Sequence, residues 1–187
     1  MNPWQKIMAA FFQSVTPRTA GFFTVSQTEL SESSRLLTMA LMVIGGSPGS
    51  TAGGIKTTAF AVVIFTIASL IRRRQSVVLG KRRLDETTVR EAFAIVSIYI
   101  LAAVVSGLII AAIEPLNLEE VFYEVFSALS NVGLSLDVTP TLKAASKAIL
   151  SLLMFGGKVG VLTLVMVFAN KKPAPPVERP VENIVIG

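Results

Sequence analysis

The chain has 187 residues, of which 52% are hydrophobic and 16% are charged, and its net charge is +5. A soluble domain carries about 25% charged residues, so this composition is typical of a membrane protein. The sequence has no Cys and no His, which excludes disulfides and thiolate metal sites and removes the commonest general base. No charged segment followed by a cleavable apolar one opens the sequence, so it does not predict a signal peptide.

The first half of the chain contains one short apolar segment and one interrupted span. Residues 4–15 are too few to cross a bilayer and suit a re-entrant or buried helix. Residues 36–44 and 59–71 are also too short individually, but together with the glycine-rich stretch between them they are long enough. We therefore expect a broken transmembrane helix here.

The second half contains two longer apolar segments. Residues 93–113 carry no charge and are long enough to cross a hydrocarbon core of about 30 Å as a helix. Residues 118–129 form another short segment, and residues 148–169 form a span with Lys158 near its middle. The proline-rich residues 173–187 are expected to form a disordered or loosely docked tail.

The charge distribution predicts the orientation of these spans. The segment "RRRQSVVLGKRRLDETTVRE" holds seven Lys and Arg between two apolar runs, so the positive-inside rule makes it cytoplasmic. Lys171 and Lys172 mark the other cytoplasmic end, and the acidic segment 114–137 faces outward. The alternative, a nucleic-acid patch, is disfavoured because the basic run is short and flanked by spans. We expect a multi-pass protein of the cell (inner) membrane, surrounded by lipid, with no nucleic-acid partner.

The stretch "GGSPGSTAGGIKTT" at residues 45–58 raises the question of a phosphate-binding loop. That signature requires G-x-x-x-x-G-K-[ST] after a strand. Counting from Gly49, the second glycine is Gly54, but Ile55 separates it from Lys56, and the preceding residues continue a membrane span. The stretch is better interpreted as a hinge in the broken helix, placed in the protein interior or in water. Lys56 then faces the pore or a partner carbonyl, or lies near the cytoplasmic interface.

A pattern recurs after the two short apolar segments. Each is followed by a hydroxyl-rich turn and a small-Gly-large triplet, Ala20-Gly21-Phe22 and Val132-Gly133-Leu134. The negative C-terminal end of a short helix favours a cation, and a glycine allows the backbone to present carbonyls in line. Rings of carbonyls that replace the hydration shell of an ion are the basis of potassium filters. Ordinary turns are the alternative interpretation.

Three segments, "SVTPRTAGF", "GGSPGSTAGGIKTT" and "SALSNVGLS", resemble the signature segments of the Trk/Ktr/HKT superfamily of potassium transporters, in the same order. Members carry four helix–pore-helix–helix repeats around one pore. The resemblance implies an all-α membrane protein with re-entrant filter loops and one broken transmembrane helix. It divides the chain into a partial third pore repeat (1–75), a cytoplasmic basic linker (76–90), a complete fourth pore repeat (91–170) and a C-terminal tail (171–187).

The resemblance also implies the site residues. The ion-binding filter would consist of the backbone carbonyls of Thr19, Ala20, Gly21, Phe22, Asn131, Val132, Gly133 and Leu134. The gate would consist of Gly45, Gly46, Ser47, Pro48, Gly49, Ser50, Thr51, Ala52, Gly53, Gly54, Lys56 and Lys158. Two residues depart from the family pattern. Asn131 replaces a frequent Thr or Ser, and Lys158 replaces a usual Arg, which keeps the charge but not the planar fork.

The function implied is passage of potassium, or of potassium and sodium, past stacked carbonyls under the control of an intramembrane loop, with no cofactor and no covalent chemistry. The expected partners are the remaining N-terminal pore repeats, a second pore subunit in a homodimer and a cytoplasmic nucleotide-binding regulatory ring. The alternatives are a non-transporting membrane scaffold or regulatory subunit, an inactive fragment of a transporter, and a membrane enzyme that uses Lys56 or Lys158. A charge at position 158 either faces the pore or snorkels at a kink.

Overall fold

The computed structural model describes residues 2–50, 52–73, 76–79 and 82–160. Six α-helices lie in these ranges: α1 (Pro3–Val15), α2 (Glu32–Val43), α3 (Thr57–Ile71), α4 (Glu86–Ile113), α5 (Leu118–Leu129) and α6 (Ala144–Val159). Two short strands, β1 (Val78–Leu79) and β2 (Arg82–Arg83), pair antiparallel between α3 and α4. Single 3₁₀ turns at Gln27–Glu29 and Thr139–Thr141 precede α2 and α6.

The two short helices α1 and α5 begin in the same way. An asparagine precedes each helix, and its backbone N–H donates to the side chain three residues later, Gln5 at 2.9 Å in α1 and Glu120 at 3.1 Å in α5. This bond satisfies an amide that the first turn of a helix leaves without an intrahelical acceptor. Capping therefore fixes the start of both helices, although only α5 is well buried.

The core lies between α3, α4, α5 and α6. Tyr99 and Ala103 of α4, Val121 and Val125 of α5 and Leu150 of α6 are among its buried residues. Helix α5 is at the centre, and seven of its 12 residues are buried, whereas α1 contributes no buried residue. An ion pair at 3.2 Å between Arg35 and Glu119 joins α2 to α5.

The helices agree with most of the apolar segments, but their ends are set by other residues. Helix α5 occupies the predicted residues 118–129. Helix α4 has 28 residues, and an 18-residue window within it has a mean hydropathy of 2.6, so it is long and apolar enough to cross a membrane by length and composition. It begins at Glu86, after Asp85, so the predicted linker 76–90 contains the hairpin and the first turn of α4. Helix formation continues into polar residues because propensity and capping, not hydropathy, decide where a helix begins.

The same order of elements occurs twice along the chain. A short helix leads to a glycine loop, then to a 3₁₀ turn and then to a second helix. The interval between matching positions is constant at 112 residues, from Thr19 to Asn131, Gly21 to Gly133, Gln27 to Thr139 and Glu32 to Ala144.

Some residues named in the sequence predictions lie outside the described residues. They are Thr51, Arg74, residues 161–169 of the last predicted span, and the tail 171–187 with Lys171 and Lys172.

Candidate functional site

The two glycine loops share an uncommon backbone conformation. Thr19 and Gly21 have φ values of 67° and 76°, and Asn131 and Gly133 have values of 54° and 87°. A left-handed φ is rare for a β-branched residue such as threonine. In both loops, therefore, the first and third of the four predicted filter residues are left-handed.

The structure places the two loops side by side. A Cβ atom added to Gly21 would collide with the carbonyl oxygen of Val132. A Cβ added to Gly133 would lie 3.9 Å from the Cα of Gly21. Position 21 requires glycine both for its φ and for this close approach. The structure thus brings together residues 19–22 and 131–134, which are 112 positions apart in the sequence.

Hydrogen bonds tie each loop to the C-terminal end of the helix before it. The hydroxyl of Thr16 donates to the carbonyl of Phe22 in the first loop. In the second, the backbone N–H groups of Asn131 and Val132 donate to the carbonyls of Ala128 at 3.0 Å and Ser127 at 2.8 Å. The side-chain amide of Asn131 donates to the carbonyl of Met154 in α6 at 2.9 Å. That amide is therefore engaged with α6.

The glycine-rich stretch between α2 and α3 forms a loop closed at its base. Gly45 N–H donates to the carbonyl of Ile55 at 2.9 Å, and Ile55 N–H donates to the carbonyl of Val43 at 3.2 Å. Thr57 N–H donates to the carbonyl of Gly46 at 3.2 Å. Ser47, Pro48, Gly49 and Ser50 are exposed at the tip, whereas Ile55 is buried. The predicted gate member Thr51 is outside the described residues.

Lys56 folds back onto this loop. Its ammonium donates to the carbonyl of Ser50 at 3.3 Å and to the carbonyl of Ala52. These carbonyls lie outside any helix, so the Lys56 ammonium supplies the hydrogen-bond donors that backbone N–H groups would supply within a helix. A contact with partner carbonyls is one of the positions predicted for Lys56, and the structure contains such contacts.

The loop packs against the C-terminal end of α5. A Cβ on Gly53 would collide with the carbonyl oxygen of Ser130, and one on Gly157 of α6 would collide with that of Leu129. The Ser130 hydroxyl is bonded to the Tyr99 hydroxyl of α4 at 2.6 Å. The end of α5, the loop and two further helices therefore meet directly before Asn131.

Sequence reasoning missed both Tyr99 and Ser130. Tyr99 lies inside an uncharged apolar run, and a buried tyrosine hydroxyl normally has a hydrogen-bond partner. That rule would have identified Tyr99 as a residue with a polar contact, but the partner, 31 positions away, could not be deduced from the sequence.

Lys158 lies in the last turn of α6 and is exposed. A positive charge at this end of a helix interacts favourably with its dipole. Gly156 and Gly157, which precede it, are buried, and Gly160 has a φ of 94°, so regular helical geometry ends there. The structure places Lys158 on the surface of the described chain and does not pair it with Lys56.

These elements belong to a helical protein in which one described helix is long and apolar enough to cross a membrane, and comparison with known families identifies its class. Residues 2–179 match the TrkH family model, described as a cation transport protein. The chain therefore belongs to the TrkH family of cation transport proteins, as the three signature segments predicted.

Individual relatives support this membership. The chain is 33% identical over 190 residues to the potassium/sodium uptake protein NtpJ of Enterococcus hirae, covering 98% of this chain and 42% of that protein. It is 37% identical over 166 residues to the Ktr system potassium uptake protein B of Bacillus subtilis, covering 88% of this chain and 37% of the relative.

The fold is also similar to a solved structure. The crystal structure of the potassium transporter TrkH from Vibrio parahaemolyticus superimposes with a TM-score of 0.77 at 25% identity, over 90% of this chain and 38% of that one. The chain thus spans 37–42% of the length of these three relatives. All three relatives are named as uptake or transport proteins, not as scaffolds or enzymes.

Proposed function

We propose that this chain forms part of a pore that conducts potassium, or potassium and sodium, through a carbonyl-lined filter gated by an intramembrane loop. The observation that carries the proposal is the pair of glycine loops, which share left-handed φ values at matching positions and lie against each other. Relatives that are named potassium or potassium/sodium uptake proteins support the choice of ion.

The filter follows from the local geometry. Helices α1 and α5 end at Val15 and Leu129, a few residues before the glycine loops, so each directs its negative end toward its own loop. In the proposed filter, the left-handed residues at alternate positions would turn the backbone so that consecutive carbonyls face the ion. The proposed ligands are the carbonyls of residues 19–22 and 131–134.

The proposed gate is the loop that separates α2 from α3. Helix α2 ends at Val43 and α3 begins at Thr57, and the loop between them lies at the end of α5, next to the second filter segment. In the proposed mechanism, residues 45–54 obstruct the ion path and move aside for conduction. Lys56 holds the loop closed through its carbonyls, and Lys158 raises the barrier to cations below the filter.

The remaining organisation is part of the same proposal. Residues 1–75 would form a partial third pore repeat with a broken helix, 76–90 a cytoplasmic basic linker, 91–170 the fourth repeat and 171–187 a cytoplasmic tail. The partners would be the other pore repeats, a second pore subunit and a cytoplasmic nucleotide-binding ring.

Serine substitutions in the two loops test the filter assignment. Replacing Gly21 or Gly133 with Ser imposes a left-handed φ on a residue with a Cβ, at a cost of about 1–3 kcal/mol that displaces the carbonyls. Since 1.4 kcal/mol is tenfold in an equilibrium constant, we expect the preference for potassium over sodium to fall roughly tenfold. The measurement is uptake of each ion by cells that lack other potassium uptake systems and carry the assembled transporter.

Gly49→Ser is the matched control. Gly49 has a similar φ of 77°, but a Cβ there meets no atom within 4 Å, and the residue lies outside both filter segments. This variant should keep the wild-type ion preference. The assignment is wrong if both filter variants insert, transport potassium and retain wild-type selectivity.

A further inference from the structure

Two consecutive residues of α5, Tyr123 and Glu124, each hold the turn that follows one of the two glycine loops. We propose that they are positioning residues that set the geometry of both filter segments and thereby the selectivity among monovalent cations. The inference rests on the proposed function, since it assumes that the glycine loops bind the ion.

Tyr123 reaches the turn after the first loop. Its side chain is fully buried, and its hydroxyl donates to Oε1 of Gln27 at 2.9 Å. Gln27, which is also buried, accepts a second bond from Nε2 of Gln13 in α1 at 2.8 Å and donates to the carbonyl of Val25 at 3.1 Å. Through Gln27, Tyr123 connects the second short helix to the first short helix and to the backbone three positions beyond Phe22.

Glu124 holds the turn after the second loop. One carboxylate oxygen accepts bonds from the Ser135 hydroxyl at 2.5 Å and from the Leu136 N–H at 3.1 Å. The other oxygen accepts from the Thr139 hydroxyl at 2.6 Å. The carboxylate is buried, and its three donors lie in the segment that directly follows Leu134.

The two turns held in this way are equivalent. Gln27 and Thr139 are the first residues of the two 3₁₀ turns and are separated by the same 112 positions as Thr19 and Asn131. Consecutive residues on an α-helix point about 100° apart, so neighbouring side chains on one helix can reach turns on two sides of it. A shift of this part of α5 would therefore displace both turns together.

These contacts do more than fill the core. Most side-chain hydrogen bonds go to backbone or water, whereas each of these residues bonds side chains of a distant turn. Bonds to a carboxylate are stronger than neutral ones, and a buried partner left unsatisfied carries the cost of its desolvation. Removing the Tyr123 hydroxyl or the Glu124 charge would therefore free a turn that follows a filter segment while leaving the apolar contacts of α5 in place.

Conservative variants of the assembled transporter test the proposal. Tyr123→Phe removes only the hydroxyl, and Glu124→Gln keeps the shape of the side chain but removes the charge. We expect the preference for potassium over sodium to fall roughly threefold to tenfold in each, the range that loss of one or two such bonds allows. Should Glu124→Gln fail to insert, Thr139→Val removes one donor and should give a smaller loss in the same direction.

The matched control is Thr66→Val. The Thr66 hydroxyl is also buried but donates only to the Val62 carbonyl within α3, at 2.8 Å. This variant should keep the wild-type ion preference. A similar loss of selectivity in Thr66→Val would show that any buried hydroxyl matters and would overturn the proposal.

A double-mutant comparison separates positioning from general destabilisation. If Tyr123 acts through Gln27, then Tyr123→Phe in a Gln27→Leu background should change selectivity by less than about 1.5-fold, because the bond is already absent. If Tyr123→Phe and Gln27→Leu lower the selectivity by independent factors that multiply in the double mutant, the proposal is wrong. It is also wrong if Tyr123→Phe and Glu124→Gln each keep the wild-type selectivity. If Gly21→Ser and Gly133→Ser also leave selectivity unchanged, the filter assignment itself fails. If only the glycine variants alter it, the filter stands and the positioning role fails.

Discussion

Two glycines lie closer to the two carbonyls at the C-terminal end of α5 than a residue with a Cβ atom could. Gly53 meets the Ser130 carbonyl and Gly157 meets the Leu129 carbonyl, so each carbonyl is covered by a residue with no Cβ. Carbonyls in the last turn of a helix have no intrahelical donor. At the residue scale, these glycines allow the loop and α6 to pack closely against the end of α5.

Glu114 shows how one residue past α4 stabilises the start of α6. Its carboxylate accepts bonds from the Ser146 hydroxyl at 2.7 Å and from the Lys143 N–H at 2.8 Å. The bond from Ser146, together with that from Lys143, holds the pKa of Glu114 below its usual value. The folded state therefore favours the charged carboxylate more than the unfolded state does.

The sign of the resulting pH dependence follows from linkage. A lowered pKa contributes stability that is present above the ordinary carboxyl pKa and is lost as pH falls through the lowered pKa. Glu114→Gln should therefore have a lower Tm than wild type at pH 7, and the difference should narrow as the pH falls below 4. Thermal unfolding in detergent measures this, with the exposed Glu91→Gln as control. A difference that is independent of pH would contradict this account of Glu114.

At the scale of elements, the apolar pattern predicted helix positions well where burial is greatest. Residues 118–129 coincide with α5 because capping at Asn117 and the end of the apolar run fall at the same positions. The start of α4 was missed because its first turns are polar. Hydropathy reports contact with lipid or core, whereas helix ends depend on caps and backbone bonds.

The contacts between elements were much less predictable. The bond from Tyr123 to Gln27 joins residues 96 positions apart, and the bond from Asn131 to Met154 joins residues 23 positions apart. The glycine loops could be found because glycine marks an unusual φ. Nothing in the sequence around Tyr123 and Glu124 distinguishes them from ordinary polar residues of an amphipathic helix, so their role becomes visible only when the turns that they hold are located.

The gating role of the loop between α2 and α3 can be tested by removing the bonds that Lys56 makes to it. Lys56→Met removes the bonds to the carbonyls of Ser50 and Ala52 and should loosen the loop. If the loop obstructs the pore, potassium uptake should rise roughly fivefold, the equivalent of about 1 kcal/mol of hydrogen bonding. Deletion of residues 47–53 should raise it further. Uptake that is unchanged or lost in a correctly inserted protein would contradict the gating role.

At the scale of the whole molecule, α1 needs contacts that the described chain does not supply. Trp4 and Phe11 are 68% and 67% exposed, and among the described residues of α1 none is buried. Isolated helices shorter than about 12–15 residues are marginal in water. Under the proposed function, this exposed apolar face of α1 is a surface that further pore repeats would cover.

Ion binding in the assembled transporter tests the central claim most directly. Crystals or cryo-cooled particles prepared with rubidium or thallium, which replace potassium and scatter strongly, would locate the ions. The account predicts ion density coordinated by backbone carbonyls of residues 19–22 and 131–134, on the side of each loop that faces the pore. Well-defined ions elsewhere along the path, with none against either glycine loop, would contradict the claim that these loops form the filter.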